Sequence, residues 1–312
     1  MPLTEANLIA KIRRAAGAAN SGHGIGDDCA VVALPRGHEA LVTTDFSIEK
    51  VHFRRQWHPA DSVGWRCLAR GLSDIAAMGG EPRAAFLSLA VPRKLPQEWV
   101  DGFVAGLLKL AKEHSVHLAG GDTAESRAGV LADIVVLGSV PKGKAVLRSG
   151  ARAGDFVYVT GTLGQSVASL QRLRRGEKIG ATQAHRRHFY PEPRLDVGRY
   201  LREKKLASAM IDTSDGLSVD LGHLCEESGV GAVIYEESLP RLPGRNGLLA
   251  ALHGGEDYEL VFTAAPRKRV PDHVKGVPIT RIGEMVAGAG ICLGNADGRL
   301  KPLPPEGWQH FR

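Results

Sequence analysis

Seven aspartates in this sequence lie in short polar motifs where a carboxylate could take part in chemistry. Three of them, Asp45, Asp122 and Asp212, follow short apolar runs that are predicted to be β-strands. Ligands of α/β proteins bind at the carboxyl ends of strands, so a site is expected there. Massed carboxylates repel one another unless cations lie between them, and Mg²⁺ prefers such hard oxygen ligands. The pattern therefore predicts a Mg²⁺-dependent site for phosphate transfer. The other four aspartates are Asp27, Asp28, Asp74 and Asp215.

Most of these motifs also have a structural interpretation when each is taken alone. The Gly-Asp-Asp sequence at 26–28 is common in turns, and Asp45 could cap a turn after its strand. Asp74 is harder to explain in this way, because aspartate has a low propensity for the middle of a helix among small and apolar residues. We therefore expect its side chain to be paired. Asp212 and Asp215 flank a predicted strand-to-helix junction, whose backbone N–H groups could also bind a phosphate.

Three other motifs could contact a ligand. Residues 138–144 nearly match the phosphate-binding pattern GxxxxGK, but Ala145 replaces the required Ser or Thr and Pro141 removes an N–H donor. We interpret them as a turn. The glycines of segment 161–164 favour a close-packed turn ahead of a helix, and the acidic segment 254–260 is compatible with a ligand contact or a capped turn.

The composition is that of an ordinary globular protein. With 312 residues, of which 43% are hydrophobic and 24% charged, the chain is long enough for two cores. The formal charge of +6 arises from the basic segment 172–205, which we interpret as solvated helix faces rather than a nucleic-acid surface. The four cysteines form no CxxC pair, which argues against a zinc site or a disulfide framework. Without a signal-like start or an apolar run of about 18 residues, we expect a soluble cytoplasmic protein that binds neither nucleic acid nor membranes.

The apolar periodicity predicts two related α+β units joined near residue 145. Neither unit shows the strict strand-helix-strand repeat of a Rossmann domain. Predicted helices begin near residues 4, 61, 96 and 217, and predicted strands cover 29–34, 40–45, 84–91, 116–119, 130–140, 155–159, 207–212, 231–235 and 258–263.

The order and spacing of the motifs resemble those of the thiamine-monophosphate kinases. The resemblance extends from about residue 20 to the C-terminus. The matching segments are Gly24 to Ala30, Thr43-Thr44-Asp45, His52-Phe53, Leu72 to Gly79, Gly120 to Thr123, Arg148 to Ala151, Ile211 to Leu217 and Gly255 to Leu260.

This resemblance implies a fold of the aminoimidazole ribonucleotide synthetase superfamily of ATP-binding proteins. The fold class is then α/β, of the α+β type, with two domains and a mixed sheet packed with helices in each. Residues 1–144 are implied to form an N-terminal domain that binds ATP and Mg²⁺ and makes a homodimer through its sheet. Residues 145–312 are implied to complete the site for ATP and substrate.

The resemblance also implies roles for individual residues. Ligands of several Mg²⁺ ions are implied at Asp28, Thr43, Thr44, Asp45, Asp74, Asp122, Asp212 and Asp215. Contacts to ATP are implied at Gly121, Asp122, Arg148 and Ser214, and contacts to thiamine monophosphate at His52, Glu256 and Trp308. The residues implied to carry catalysis are Asp45, Asp74, Asp212 and Arg148. One position departs from the family pattern, because Val104 stands where an aromatic contact to ATP is expected.

The implied reaction is direct transfer of the γ-phosphoryl group of ATP to thiamine monophosphate. The main alternative is another ATP-dependent synthetase of the superfamily, of the purine-pathway or selenophosphate type. A selenophosphate synthetase should carry a reactive cysteine or selenocysteine near its Gly-rich segment, whereas Cys29 follows the aspartate pair. A hydrogenase-maturation relative should end in a reactive cysteine, whereas this sequence ends His310-Phe311-Arg312. A non-catalytic nucleotide sensor is less expected, since so many potential metal ligands are present.

Overall fold

The computed structural model of the chain describes residues 5–17, 25 and 29–311. Contacts within the chain divide it into two compact units. Unit 1 comprises the residues up to Ile75 together with Glu81–Gly143, and unit 2 comprises Ala76–Gly80 and the residues from Lys144 onward. The sequence predicts a domain boundary after residue 144, next to this division. It carries no signal that segment 76–80 belongs with unit 2.

Unit 1 contains a mixed four-stranded sheet and helices. In the order β1-β4-β2-β3, strand β4 is antiparallel to both β1 and β2, and β2 is parallel to β3. Strands β1 and β3 are therefore the two edges of the sheet. The elements are α1 (Glu5–Ala16), β1 (His38–Ile48), α2 (Ala60–Ala77), β2 (Glu81–Val91), α3 (Gln97–Glu113), β3 (His117–Glu125) and β4 (Leu131–Pro141).

The core of unit 1 follows from the apolar spacing of α2. Leu68, Leu72 and Ile75 recur at helical spacing and are buried. Gly64 allows α2 to approach α3 closely, because a Cβ at this position would overlap the carbonyl oxygen of Phe103. These contacts hold α2, the helix that carries Asp74, against the core and against α3.

Unit 2 contains a larger mixed sheet in the order β12-β11-β7-β10-β5-β8-β6, with β9 paired to β10. Strand β11 is parallel to β7, and the other pairs are antiparallel. The elements are β5 (Phe156–Thr160), α4 (Gln165–Arg174), α5 (Arg186–Phe189), α6 (Leu195–Glu203), β6 (Ala209–Asp212), α7 (Leu217–Ser228), β7 (Gly231–Tyr235), α8 (Gly244–His253), β8 (Leu260–Ala264), β9 (His273–Val274), β10 (Val277–Val286), β11 (Ile291–Gly294) and β12 (Leu300–Pro302).

The pairing of β6 with β8 determines which loops of unit 2 meet. The two strands are antiparallel, and Asp212 at the end of β6 pairs with Leu260 at the start of β8. The loop 213–216 that follows β6 and the segment 254–259 that precedes β8 therefore lie at the same end of the sheet.

The predicted fold class is confirmed, since a mixed sheet packs with helices in each unit. The predicted strand at residues 29–34 is wrong: these residues are described but form no strand ladder, and the edge strand β1 has β4 as its ladder partner. The expectation that three aspartates follow their strands is wrong in its bounds, because Asp212 is the last residue of β6. Asp45 and Asp122 lie within the longer strands β1 and β3.

None of the helices within the described residues combines the length and the apolar character that a membrane span requires.

Candidate active site

The loop 213–216 joins β6 to α7. A side chain of α7 holds the backbone of this loop in place. Asp220, in the first turn of α7, accepts hydrogen bonds from the N–H groups of Asp215 (3.1 Å) and Gly216 (2.9 Å). Gly216 has a φ of 116°, and a Cβ there would lie 2.8 Å from the carbonyl carbon of His253, so this position requires glycine. The loop is therefore a fixed platform rather than a loose connection.

The charges of three carboxylates interact at this platform. Asp212 and Asp220 are both buried. Burial raises the pKa of Asp220 well above its usual value, and the charges of Asp212 and Asp215 raise it further. A divalent cation at the loop would relieve this repulsion, and carboxylate oxygens are the ligands that Mg²⁺ prefers. The donor set of the loop thus fits a Mg²⁺ ion.

The segment 254–259 brings Glu256 to the same loop. The N–H group of Glu256 donates to the carbonyl of Ser214 at 2.8 Å, and the N–H group of Tyr258 donates to the carbonyl of Thr213 at 2.9 Å. Glu256 and Tyr258 have φ values of 65° and 53°. Residues other than glycine adopt such values rarely, and they keep them only where the surrounding structure holds them.

Trp308 is attached to the other side of the loop. Its backbone N–H group donates a hydrogen bond to the backbone carbonyl of Asp215 at 2.9 Å. A Cβ at Gly307 would overlap the same carbonyl oxygen, so glycine permits this close approach. The side chain of Trp308 remains 44% exposed. A cavity of about 770 Å³ lies beside it, lined among others by Asp215, Ser218, His223, Glu226, Trp308 and His310.

Arg148 lies in an exposed segment that runs beside β6. The carbonyl of Leu147 accepts a hydrogen bond from the N–H group of Met210 at 2.9 Å, and the carbonyl of Arg148 accepts one from Ser228 Oγ at 3.0 Å. These bonds fix the backbone from which the guanidinium extends, while the side chain itself stays exposed to solvent.

In unit 1, β1 and α2 bring together a second group of predicted ligands. Thr43 Oγ1 donates a hydrogen bond to the carboxylate of Asp74, which confirms that Asp74 is paired. Asp45 lies on the same face of β1 as Thr43, because alternate strand residues share a face. Burial raises the pKa of the Cys67 thiol to about 12, and the nearby charge of Asp45 contributes to the rise. The thiol therefore stays protonated at neutral pH.

Thr44 does not join this group through its side chain. It projects from the opposite face of β1, and its Oγ1 donates to Asp133 Oδ1 on β4 at 2.7 Å. The hydroxyl groups of Thr43 and Thr44 thus lie on different faces of the sheet.

Gly121 and Asp122 lie on β3, and their local geometry leaves the carboxylate exposed. Gly121 has a φ of 149°, and a Cβ there would overlap the carbonyl oxygen of Leu87 on the neighbouring strand. The exposed Asp122 accepts a hydrogen bond through Oδ1 from the N–H group of Thr123 at 2.8 Å. The backbone at position 121 can be occupied only by glycine. Asp122, the next residue, lies at the surface of the edge strand β3.

The two edges of the sheet carry different predicted ligands at the same level. The strand registers align Asp45, Ile134, Leu87 and Gly121 in one row across the sheet. Three strand spacings separate the ends of this row, or about 14 Å. Within unit 1 the sheet therefore keeps Asp122 apart from Asp45.

His52 and Val104 have surroundings that the sequence did not indicate. His52 Nδ1 accepts a hydrogen bond from the N–H group of Ile48 at 3.0 Å, so the backbone fixes the orientation of the ring. Val104 on α3 is buried and lines a small cavity of about 320 Å³ with Leu8 and Ile12 of α1.

Asp28 lies outside the residues that the structure describes. In the ranges 5–17, 25 and 29–311, no group of three or more His, Cys, Asp or Glu residues is close enough to hold a metal ion. Mg²⁺ usually binds through one or two carboxylates, with waters and substrate phosphates as its other ligands, so a Mg²⁺ site does not require three acids in one group.

Sequence reasoning missed three buried acids that hold the site together. Asp220 could have been found from its place in the first turn of a helix among apolar residues. Asp257 accepts hydrogen bonds from the N–H groups of Gly164 (2.5 Å) and Ser166 (3.1 Å) at the start of α4. Glu259 is also buried. The sequence shows Asp257 and Glu259 on either side of Tyr258. It does not show that both side chains point into the protein.

Comparison with known proteins places both halves of the chain in one family. Residues 26–140 match the family described as AIR synthase related protein, N-terminal domain. Residues 152–293 match AIR synthase related protein, C-terminal domain.

Curated proteins and solved structures agree with this match over nearly the whole length. The thiamine-monophosphate kinase of Salmonella typhimurium is 38% identical over 303 residues, which cover 92% of this chain and 91% of that protein. The crystal structure of thiamine-monophosphate kinase from Stenotrophomonas maltophilia K279a is 35% identical, with a TM-score of 0.84 over 96% of this chain and 99% of that one. A structure described as AaThiL complexed with AMPPCP and TMP is 33% identical, with a TM-score of 0.80 over 100% of this chain and 99% of that one.

Proposed function

This chain belongs to the AIR synthase related family and, within it, to the thiamine-monophosphate kinases, and from that premise we propose the reaction that it catalyses. ATP donates its γ-phosphoryl group directly to the phosphate of thiamine monophosphate, and the products are thiamine diphosphate and ADP. The relative described with AMPPCP and TMP supports a site for a nucleotide and a phosphorylated acceptor. ATP is abundant in the cytoplasm, where the proposal locates the reaction.

One observation carries this proposal: residues expected to serve different parts of the reaction meet on the loop 213–216. Glu256 and Trp308, expected at the acceptor, are hydrogen-bonded through their backbones to Ser214 and Asp215, respectively. Ser214 is the expected contact to ATP, and Asp215 is an expected metal ligand. A nucleotide and an acceptor bound to one rigid loop would have the proximity that phosphoryl transfer needs.

The chemistry requires the chain to bring two anions together rather than to remove a proton. A phosphate monoester has a second pKa of about 6, so the acceptor is largely a dianion at neutral pH and needs no general base. The obstacle is repulsion between the acceptor and the phosphates of ATP. The guanidinium of Arg148 can bind phosphate oxygens with two N–H groups, and the fixed loop can orient the acceptor in line.

Mg²⁺, when bound, would neutralise charge on both sets of phosphates. Its proposed ligands in unit 2 are Asp212 and Asp215, and those in unit 1 are Thr43, Asp45 and Asp74. Asp28, Thr44 and Asp122 complete the proposed set. Thr44 would act through its backbone carbonyl, since its hydroxyl is bonded to Asp133. We propose that residues 1–144 bind ATP and Mg²⁺ and that residues 145–312 complete the site for ATP and acceptor.

We further propose that the chain works as a homodimer joined through the sheets of unit 1. Val42 and Phe46 project from the same face of β1 and are 67% and 54% exposed, so this face offers apolar surface that a second chain could cover. The edge strand β1 carries Asp45, and the opposite edge strand β3 carries Asp122 one residue beyond the row that contains Asp45. A two-fold dimer that sets β1 of one chain beside β3 of the other would bring Asp45 and the partner's Asp122 to one site.

The proposed function is tested by incubating the protein with MgATP and a panel of phosphorylated acceptors. We expect thiamine diphosphate and ADP in equal amounts with thiamine monophosphate, and no ADP above background with the other acceptors. A rate of ADP formation that does not depend on thiamine monophosphate would overturn the proposal.

The same assay separates the alternatives. A synthetase of the purine-pathway or selenophosphate type would release ADP with a different acceptor and form no thiamine diphosphate. A nucleotide sensor would bind ATP without any turnover that depends on an acceptor.

A further inference from the structure

A buried ion pair joins Arg194, which has so far been given no role, to Glu259 at the end of the segment 254–259. The guanidinium of Arg194 binds both carboxylate oxygens of Glu259, with a distance of 2.7 Å from Nε to Oε2. The two side chains are only 4% and 1% exposed. Thr160 Oγ1 donates a further hydrogen bond to Oε2 at 2.5 Å. This bidentate arrangement fixes the direction of the Glu259 side chain from two sides.

The charges around Arg194 favour its charged form. Burial opposes the charge of Arg194, but Glu259 outweighs it, so the pKa of the guanidinium is raised. Glu192 lies 3.7 Å from Arg194. Arg187 lies 3.5 Å from Glu259, and its Nη1 is buried without a hydrogen-bond partner in the described structure. Glu259 is therefore the carboxylate on which two guanidinium groups converge, that of the buried Arg194 and that of the half-buried Arg187.

The backbone of Glu259 is bonded in turn to the loop 213–216. The N–H group of Thr213 donates to the carbonyl of Glu259 at 2.8 Å, and the N–H group of Glu259 donates to Thr213 Oγ1 at 3.1 Å. Thr213 precedes Ser214, whose carbonyl accepts the N–H group of Glu256. A continuous set of hydrogen bonds thus runs from Arg194 through Glu259 to the residues expected to contact ATP and acceptor.

We propose that Arg194 is a positioning residue that acts through Glu259 to set the geometry of Glu256 and the loop 213–216. The inference rests on the proposed function, because the site it orients is the proposed site for thiamine monophosphate. Two residues of this segment hold left-handed backbone conformations that need support from their surroundings. The ion pair supplies this support in a directional way that an apolar contact would not.

The distinction between positioning and mere stability decides the design of the test. A buried ion pair can often be replaced by apolar residues without loss of stability, whereas removal of one partner leaves a buried charge unpaired. The double variant Arg194→Met/Glu259→Leu removes both charges. It should recover part of the thermal stability lost in Arg194→Met, because Arg187 loses Glu259 but keeps Glu192 at 3.9 Å, and it should still lack the directional bonds. Arg194→Lys keeps the charge but cannot bind in the bidentate way.

The control is Arg199→Met, on the same helix region. Arg199 pairs with Asp196 at 2.9 Å, but the two side chains are 42% and 59% exposed, so the loss of this pair should change little. The measurements are KM for thiamine monophosphate, kcat, the thermal midpoint, and hydrogen exchange of peptides that cover residues 212–217 and 254–260.

In Arg194→Met and in the double variant, we expect KM for thiamine monophosphate to rise about tenfold and amide exchange of both peptides to accelerate. Arg194→Lys should show a smaller rise, and Arg199→Met should stay within about twofold of the wild type. An unchanged KM in the double variant overturns the proposal, and so does an unchanged KM in a folded Arg194→Met protein of lower thermal midpoint. If Arg194→Met does not fold, the double variant decides the matter alone. Failure of the proposed function is detected separately, because the wild-type protein would then form no thiamine diphosphate. In that case the hydrogen-exchange rates of the two peptides still test the positioning role.

Discussion

At the scale of single residues, the acids of this protein perform two kinds of work that their sequence motifs do not distinguish. Asp220, Asp257 and Glu259 point inward and accept hydrogen bonds that hold loops in place. Asp215 lies on the loop that Asp220 supports, and Asp212 is the last residue of the strand before that loop. An aspartate near a strand end can belong to either kind, because propensity and spacing describe the backbone and not the direction of the side chain.

The proposed ligands Asp45 and Asp212 should tolerate little change of charge. Asp45→Asn and Asp212→Asn keep the size of the side chain but remove a full negative charge, and we expect each to lower kcat by about two orders of magnitude or more. Asp101→Asn is the control, because Asp101 is an exposed residue paired with Lys11 at 3.0 Å. Turnover close to that of the wild type in both variants, measured at saturating Mg²⁺, would contradict the assignments.

Trp308 is expected to serve the acceptor more than the nucleotide. Its exposed indole could stack on the cationic thiazolium of thiamine monophosphate, since aromatic faces attract cations. Trp308→Ala should raise KM for thiamine monophosphate by about fivefold or more, with a smaller change in KM for ATP, and Trp308→Phe should retain part of the effect. Steady-state kinetics with each substrate varied in turn would measure both constants. A larger change in KM for ATP would count against the stacking role.

At the scale of elements, the sequence predicts best where local signals and tertiary contacts agree. The bounds of α7 and β7 follow from an apolar helix period, a glycine at 229 in the left-handed region and a short apolar run. The strand predicted at residues 29–34 fails, because β-propensity cannot show whether a partner strand exists. The inward direction of Asp257 and Glu259 is equally invisible, since it depends on Arg194 and on α4, which are distant in the sequence.

Asp257 makes the attachment of α4 sensitive to pH. Burial raises the pKa of Asp257 to about 7, and nearby Glu259 adds to the rise, although the N–H groups of Gly164 and Ser166 and the charge of Arg187 oppose it. In the unfolded chain the same carboxyl group has an ordinary pKa of about 4. Between these values the folded state holds one proton more than the unfolded state, so the free energy of unfolding falls as the pH rises and levels off above the folded pKa.

Asp257→Asn removes this titration and isolates its contribution. Urea unfolding from about pH 5 to about pH 8 should show the wild type losing stability relative to the variant up to about pH 7, with a constant difference above it. A difference between the two proteins that does not change with pH would mean that Asp257 is already ionised throughout this range.

At the scale of the whole molecule, the sheet of unit 1 separates two proposed metal ligands within one chain. Asp45 and Gly121 stand at opposite ends of one row of paired residues, with two strands between them. Asp122 follows Gly121 on the same edge strand. Both aspartates are proposed ligands, yet the sheet holds their backbones about 14 Å apart. An isologous dimer resolves this, because each two-fold related site then receives β1 from one chain and β3 from the other.

Mixing two inactive variants tests this arrangement directly. If each site takes Asp45 from one chain and Asp122 from the partner, a heterodimer of Asp45→Asn and Asp122→Asn has one doubly altered site and one intact site. Random exchange of equal amounts gives heterodimers as about half of all dimers, so about a quarter of the wild-type activity should return after co-refolding or prolonged mixing. Sedimentation velocity on the same sample would establish that it consists of dimers, of twice the 33.3 kDa chain mass. A dimeric mixture that stays as inactive as its parents would mean that both aspartates serve the site within one chain, and a monomeric wild type would remove the dimer from the proposal altogether.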